Sequence, residues 1–370
     1  MSTRNTTLAV AVLLVAAVTT GCGGAVTTAA NAKASGVYTQ IAGLPKDQQR
    51  AKAEELAKKE GGTLSLYTSM TADIATPVAD AFQKKYGIHV SVFRGNSETV
   101  LQRTMQEAQA GKAGADVVET NFLEMTALSD NEILSDFNGS ALQKVEPAGR
   151  FKHWTASRFN VFQPAWNTDL IKPGQEPHSW EDLALPKYKG KITLEVSDSD
   201  WYENVTKYWL DHGKSQAEVD KLWKDIVANS KVAKGHTTMM QFLTAGQTPM
   251  EAMNYTYITD RAAEKGAPVA RLPKSGTSSI PAFGRPNGVG MIKDAHHPAA
   301  AWLFYDWLLT DGQKELVELG LTPSTKVSGD KSLNGITLVP FDVKGLSKDD
   351  GGGWDKKYDA LLRGAASVGK

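Results

Sequence analysis

The chain has almost no cysteine. Its 370 residues contain one, Cys22, so beyond it neither a disulfide nor a thiolate metal site can form. It also lacks an excess of either charge, because 41 Lys and Arg offset 41 Asp and Glu. No basic run exceeds a dipeptide, and together these features point away from nucleic acid as a partner. No apolar stretch reaches the roughly 18 residues that suggest a bilayer span. Catalytic signatures are missing as well. There is no Gly-x-Ser-x-Gly elbow, no His-Glu-x-x-His pair, no phosphate-binding Gly-x-x-x-x-Gly-Lys-[Ser/Thr] loop and no dinucleotide glycine motif. An enzyme is therefore not expected. What remains is ordinary globular material, 41% hydrophobic and 22% charged. At roughly 150 residues per domain the length predicts two domains.

The N-terminus is the first informative segment. Arg4 precedes an apolar stretch from Leu8 to Val18, and Thr19-Thr20-Gly21 leads into Cys22. A basic start, a short apolar core and a small-residue exit predict a secretory signal peptide over residues 1–21. The Gly-Cys exit resembles the bacterial lipobox, although Thr19 stands where Leu is usual. That resemblance implies lipidation of Cys22 and a mature protein held on the outer face of the cell membrane or in the periplasm. Residues 22–40 are small and polar, which reads as a flexible lipid-anchored tether.

Residues 47–59 follow as a helix closed by Gly61-Gly62. Leu64–Tyr67, Ile88–Phe93 and Ala115–Val118 read as strands separated by helices, with Ile74, Val78 and Phe82 at helical spacing. Strand–helix alternation predicts a parallel sheet with right-handed crossovers. A second α/β unit starts near Asn160. It has a strand at Lys191–Val196, a helix from Asp200, a strand at Met250–Tyr255 and a strand at Gly288–Ile292. One helix is expected from Pro298 to Leu319, and Trp354, Tyr358, Leu361 and Leu362 suggest a terminal helix that docks on the body.

In parallel sheets ligands sit at the carboxyl ends of strands. That rule selects the Thr68-Ser69-Met70 loop with Thr71, then Asn96 and Ser97, and then Thr120 and Asn121. Ser69, Thr71 and Ser97 serve equally well as helix caps. In the second unit it selects Asp198, with Asp200 and Trp201, at the start of a helix. The carboxylates suit that helix end as caps, and Trp201 and Tyr202 either stack on a ligand or fill the core. Asn254, Tyr255 and Tyr257 end another strand, where i and i+2 share a face. Arg158 and Arg285 flank the expected passages between units, where each is either a bidentate clamp for an anion or a salt bridge. His296-His297 reads as a solvated loop before a Pro-initiated helix.

Several segments together resemble type II periplasmic solute-binding proteins of bacterial ABC importers, in the ferric-iron-binding branch. These are Ala57–Ser69, Val78–Ile88, Ala113–Val118, Ser179–Leu183 with Pro186–Ile192, and His297–Trp302 with Gln313. The resemblance spans about residues 50–325. It implies a two-lobed α/β fold, parallel-core sheets flanked by helices, with a ligand cleft between the lobes. Lobe 1 would comprise 41–158 and 276–345, lobe 2 would comprise 159–275, and 346–370 would be a docking helix and tail. It further implies a monomer that captures a small ligand by lobe closure and delivers it to ABC permease and ATPase subunits. A lipoprotein sensor or receptor using the same clamp is the alternative. No cofactor is implied, and ferric iron enters only as cargo. For iron, Tyr255 and Tyr257 are the candidate ligands. Iron-binding relatives carry adjacent tyrosines after Asn, whereas Thr256 separates them here. Their usual His falls at Thr71 and their usual Glu at Asn121. Glu98 or Glu119 is the substitute the sequence offers. A small organic or phosphorus-containing ion is the other ligand class left open.

Overall fold

The computed structural model describes residues 22–341, 343 and 353–368. The expected signal peptide lies outside the described residues. In chain order the elements begin with two helices, α1 (Cys22–Ala42) and α2 (Lys46–Lys59). Then come β1 (Thr63–Thr68), α3 (Ala72–Tyr86), β2 (His89–Arg94), α4 (Ser97–Gln109), β3 (Val117–Asn121), α5 (Phe122–Asp130) and β4 (Leu134–Ser135). The long β5 (Thr155–Asn167) leads into β6 (Ile192–Glu195), α6 (Ser199–Asp211), α7 (Gln216–Ala228) and β7 (Ser230–Ala233). After these come α8 (His236–Thr244), β8 (Met250–Tyr255), α9 (Thr256–Glu264) and β9 (Val269–Ala270). The chain returns through β10 (Ala282–Ile292), α10 (Pro298–Leu308), α11 (Gly312–Glu318), β11 (Thr322–Pro323) and β12 (Leu338–Pro340), and ends in α12 (Gly353–Leu362).

Strands run β2-β1-β3-β10-β5-β8-β6-β7 across one curled sheet. β1, β2 and β3 are parallel in one half, and β6, β7 and β8 are parallel in the other. β5 and β10 carry the chain between halves and pair antiparallel with each other. The result is a two-lobed α/β fold in which all six parallel strands point their carboxyl ends toward the seam.

Local chemistry accounts for the helices. α3 buries Ile74, Val78 and Phe82 four residues apart and stops at Gly87, whose φ of 70° suits glycine. α4 is capped by Asn96, which accepts from the Thr99 N–H at 2.8 Å. Ser215 and Glu218 form a reciprocal capping box on α7. Phe82, Phe304 and Trp307 make edge contacts at 5.0 and 5.3 Å in the first lobe. Trp180, Trp201, Trp209 and Trp223 fill the second.

Two sequence expectations fail here. Residues 22–40 are not a tether: they form most of α1, whose Ala34, Tyr38 and Ile41 are buried. Tyr38 also donates to the Ile292 carbonyl at 3.1 Å. An apolar face at 34, 38 and 41 is a helical period that small-residue composition hides. The single helix expected from Pro298 to Leu319 is two. Arg50 holds Asp306 and Thr310, each at 2.7 Å, while Thr310 donates back to the Asp306 carbonyl, and the helix stops at Leu308.

Candidate functional site

Between the lobes lies a cleft of about 690 Å³. Six helices begin on its wall. Their N-cap residues are Thr71 (α3), Asn96 (α4), Asn121 (α5), Asp198 (α6), Gly235 (α8) and Tyr255 (α9), and all six line it. Each contributes the positive end of a helix dipole and N–H groups without intrahelical partners. Three come from each lobe.

Buried charge sits at the back of the cleft. Arg285, on β10, donates to both oxygens of Asp200 at 3.1 and 3.0 Å and to Asp198 at 3.2 Å. It also donates to the Tyr255 hydroxyl, and its guanidinium lies 4.9 Å from the Phe162 ring centre. His236 Nε2 lies 2.9 Å from Asp198 Oδ2. Burial alone would raise Asp198, but His236 and Arg285 outweigh it and hold that carboxyl below the usual range. Burial raises Asp200, only partly offset by Arg285. Glu195 is pushed up to about 7 by burial and by Asp198, although its oxygens accept from the Gly235 and Ser197 N–H groups. Burial likewise lifts Glu124 to about 7. In the first lobe Arg158 donates to Glu119 at 3.2 Å and to Asn160.

The sequence matches the family described as bacterial extracellular solute-binding protein over residues 78–334. The chain belongs to that family. Its role is that of the extracytoplasmic solute-binding component of an ABC importer. It is 24% identical over 258 residues to the Fe(3+)-binding periplasmic protein of Serratia marcescens, across 68% of this chain and 75% of that one. Among solved structures it resembles iron-bound HitA from Pseudomonas aeruginosa, with a TM-score of 0.62 and 20% identity over 81% of this chain and 98% of that one. AfuA from Actinobacillus pleuropneumoniae, with exogenous fructose-6-phosphate bound, gives 0.65 and 20% over 81% and 96%. A substrate-binding protein of an ABC transporter from Agrobacterium tumefaciens gives 0.67 and 16% over 81% and 95%. At these identities the structural matches speak for the fold.

Within this family member, Ser69, Asn96, Ser97, Asn121, Asp198, Tyr255 and Tyr257, expected at strand ends, and Arg285, expected at a passage between lobes, all stand on the cleft wall. The other candidates lie behind it. Thr68 is buried and donates to Glu119 at 2.7 Å. Met70 and Thr120 are also buried and off the wall. Asn254 is consumed internally, donating to Glu251 at 2.6 Å and accepting from the Tyr255 N–H at 2.7 Å. Trp201 is core rather than a stacking wall, packed edge-on against Trp180 and Trp223 at 5.6 and 5.3 Å. Cys22 is the first residue of α1. Tyr257 reaches the cleft by a different route from the one expected: β8 ends at Tyr255, and Tyr257 stands in the first turn of α9. The two rings are nonetheless near parallel, 12° apart, with centres at 6.0 Å. Burial raises both phenols above their ordinary value. Among the described residues no group of three or more His, Cys, Asp or Glu is arranged to hold a metal ion.

The wall also holds residues that sequence reasoning passed over: Arg94, Glu124, Glu195, Lys234, His236 and Thr237. Lys234–Thr237 follow β7, so reading Ser230–Ala233 as a strand would have found them by the same rule. Asp355, Tyr358 and Asp359 arrive from α12, the terminal helix that the sequence predicts as docking on the body but does not place at the cleft.

Proposed function

We propose that this protein captures a small organic ion with an anionic group, a phosphate or carboxylate, by closing its lobes, and that it acts by capture and release without turnover. The observation that carries this is the convergence of six helix N-termini on one cleft, an arrangement suited to oxyanions. Hydroxyls from Ser69, Thr71, Ser97 and Thr237 and the cation of Arg94 add to it. AfuA, with its sugar phosphate, supports this class. HitA and the Serratia protein support iron, and the residues here fit iron less well. Thr71 and Asn121 occupy the positions of the expected His and Glu, and the Tyr255 hydroxyl is already engaged by Arg285. Lipidation at Cys22, tethering the protein outside the cell membrane, belongs to the same reading. A Cys22→Ala chain should leave the membrane fraction.

The test is thermal unfolding of the protein with fructose 6-phosphate, small dicarboxylates and ferric citrate. A ligand at about 100 times its Kd adds roughly 2.7 kcal/mol to the folded state. A shift with the organic anions and none specific to iron supports the proposal. A coloured ferric complex that Tyr257→Phe abolishes would overturn it in favour of iron.

A further inference from the structure

We infer that the C-terminal helix α12 is part of the binding site, and that Asp355 and Asp359 on it receive a cationic group of the solute. The solute is then a zwitterion, anionic at one end and bearing an ammonium at the other. This rests on the preceding reading that the cleft takes an organic anion.

The family match ends at residue 334, so α12 lies beyond it. Yet the helix is built into the cleft. Tyr358 is buried, donates to the Glu195 carbonyl at 2.8 Å and stacks on Tyr202 at 5.3 Å. Downstream, Val232 donates to the Ala366 carbonyl at 2.8 Å and accepts from the Val368 N–H at 3.0 Å, extending the sheet beyond β7. These contacts fix α12 against α6 with Asp355 and Asp359, one turn apart, on the cleft wall.

Their carboxylates differ from the others of that lobe. Asp198 and Asp200 are committed to Arg285, and Glu195 accepts from two backbone N–H groups. Among the described residues Asp355 accepts only from the Ser199 hydroxyl, and neither it nor Asp359 has an ion-pair partner. A second, independent observation comes from the buried part of the same wall. His236 is 9% exposed; its Nε2 faces Asp198 Oδ2 at 2.9 Å, and among the described residues its Nδ1 has no partner. With Nε2–H turned to Asp198, Nδ1 is an acceptor; a buried acceptor left unpaired is costly, and a ligand N–H is what it lacks. A buried unpaired acceptor beside two carboxylates without a cation in one lobe, opposite hydroxyls and helix N-termini in the other, describes the two ends of a zwitterion.

The experiment is titration calorimetry on the full-length protein with two probes, phosphoethanolamine and glycerol 3-phosphate, which share the phosphate and differ in the ammonium. The wild-type protein should bind phosphoethanolamine tighter by about tenfold, the scale of a hydrogen bond to a charged group. In Asp355→Asn/Asp359→Asn that preference should vanish. Equal affinities in the wild type overturn the inference and leave the anion reading intact. So does a variant that weakens both probes alike, since that is what a mere brace for α6 would do. If neither phosphate binds, the anion reading fails and this inference falls with it.

Discussion

Arg285 Nη1 stands 3.1 and 3.0 Å from the two oxygens of Asp200, joining the crossing strand β10 to the first turn of α6. Both side chains are almost fully buried. The guanidinium also serves Asp198 and the Tyr255 hydroxyl, so one cation is shared by the two N-terminal carboxylates of α6. Removing it strands two buried charges. Arg285→Met should lower the apparent unfolding free energy in urea by about 3–5 kcal/mol, the usual cost of breaking a buried pair. Adding Asp198→Asn and Asp200→Asn should restore most of that. A loss below about 1 kcal/mol from Arg285→Met would mean the network behaves as a surface pair.

The lobes are also bridged at the rim. Lys234, after β7, lies 2.8 Å from Glu98 on α4, and Arg261 on α9 lies 2.9 Å from Asp73 on α3. Lys234 and Glu98 are exposed, so that bridge is worth only about 0–1 kcal/mol. Lys234→Ala with Arg261→Ala should open the lobes, seen as a larger radius of gyration in small-angle scattering. Wild type at about 1 M salt should move the same way, because the Debye length there is near 3 Å. Identical scattering curves would assign closure to the buried contacts alone.

Much of the lobe architecture was legible because helical and strand periods are local properties. Ile74, Val78 and Phe82 announce α3, and the carboxyl-end rule then finds Ser69, Asn96 and Asn121 without any knowledge of packing. What the sequence hides is orientation. Asp198 and Trp201 lie three residues apart at one helix start, yet one faces the cleft and the other the core. Which does which depends on Arg285, 87 positions from Asp198. Tyr257 looked like a strand residue because the β8–α9 boundary carries no proline or glycine. α12 was readable as a docking helix, but its place in the cleft depends on a partner, Glu195, at a separation of 163 residues.

Trp201 gives that lesson a measurement. Truncating a buried tryptophan costs about 3–5 kcal/mol, so Trp201→Ala should unfold at markedly lower urea. Under conditions where the variant is folded, affinity for the solute should stay within about threefold of wild type, a change under 1 kcal/mol. A large affinity loss with little destabilisation would return Trp201 to the role of a stacking wall.

Glu251 predicts a pH dependence with a definite sign. It lies fully buried on β8, and burial pushes its carboxyl up to about 8 from the usual 4.5, against a small opposing contribution from Asn254. Asn254 donates to one oxygen at 2.6 Å, among the described residues the other oxygen has no partner, and Thr193 on β6 stands opposite Glu251 in register. Between pH 4.5 and 8 the folded protein keeps this proton while the unfolded chain has released it. The stabilisation is therefore complete below about 4.5 and is lost as pH rises through 8, at a slope of up to about 1.4 kcal/mol per pH unit. Glu251→Gln keeps the shape and removes the proton linkage, so its stability should fall less steeply across that window, and it should exceed wild type above pH 8. Parallel curves for the two proteins would mean that Glu251 is ionised in the folded state, with a cation or water reaching β8.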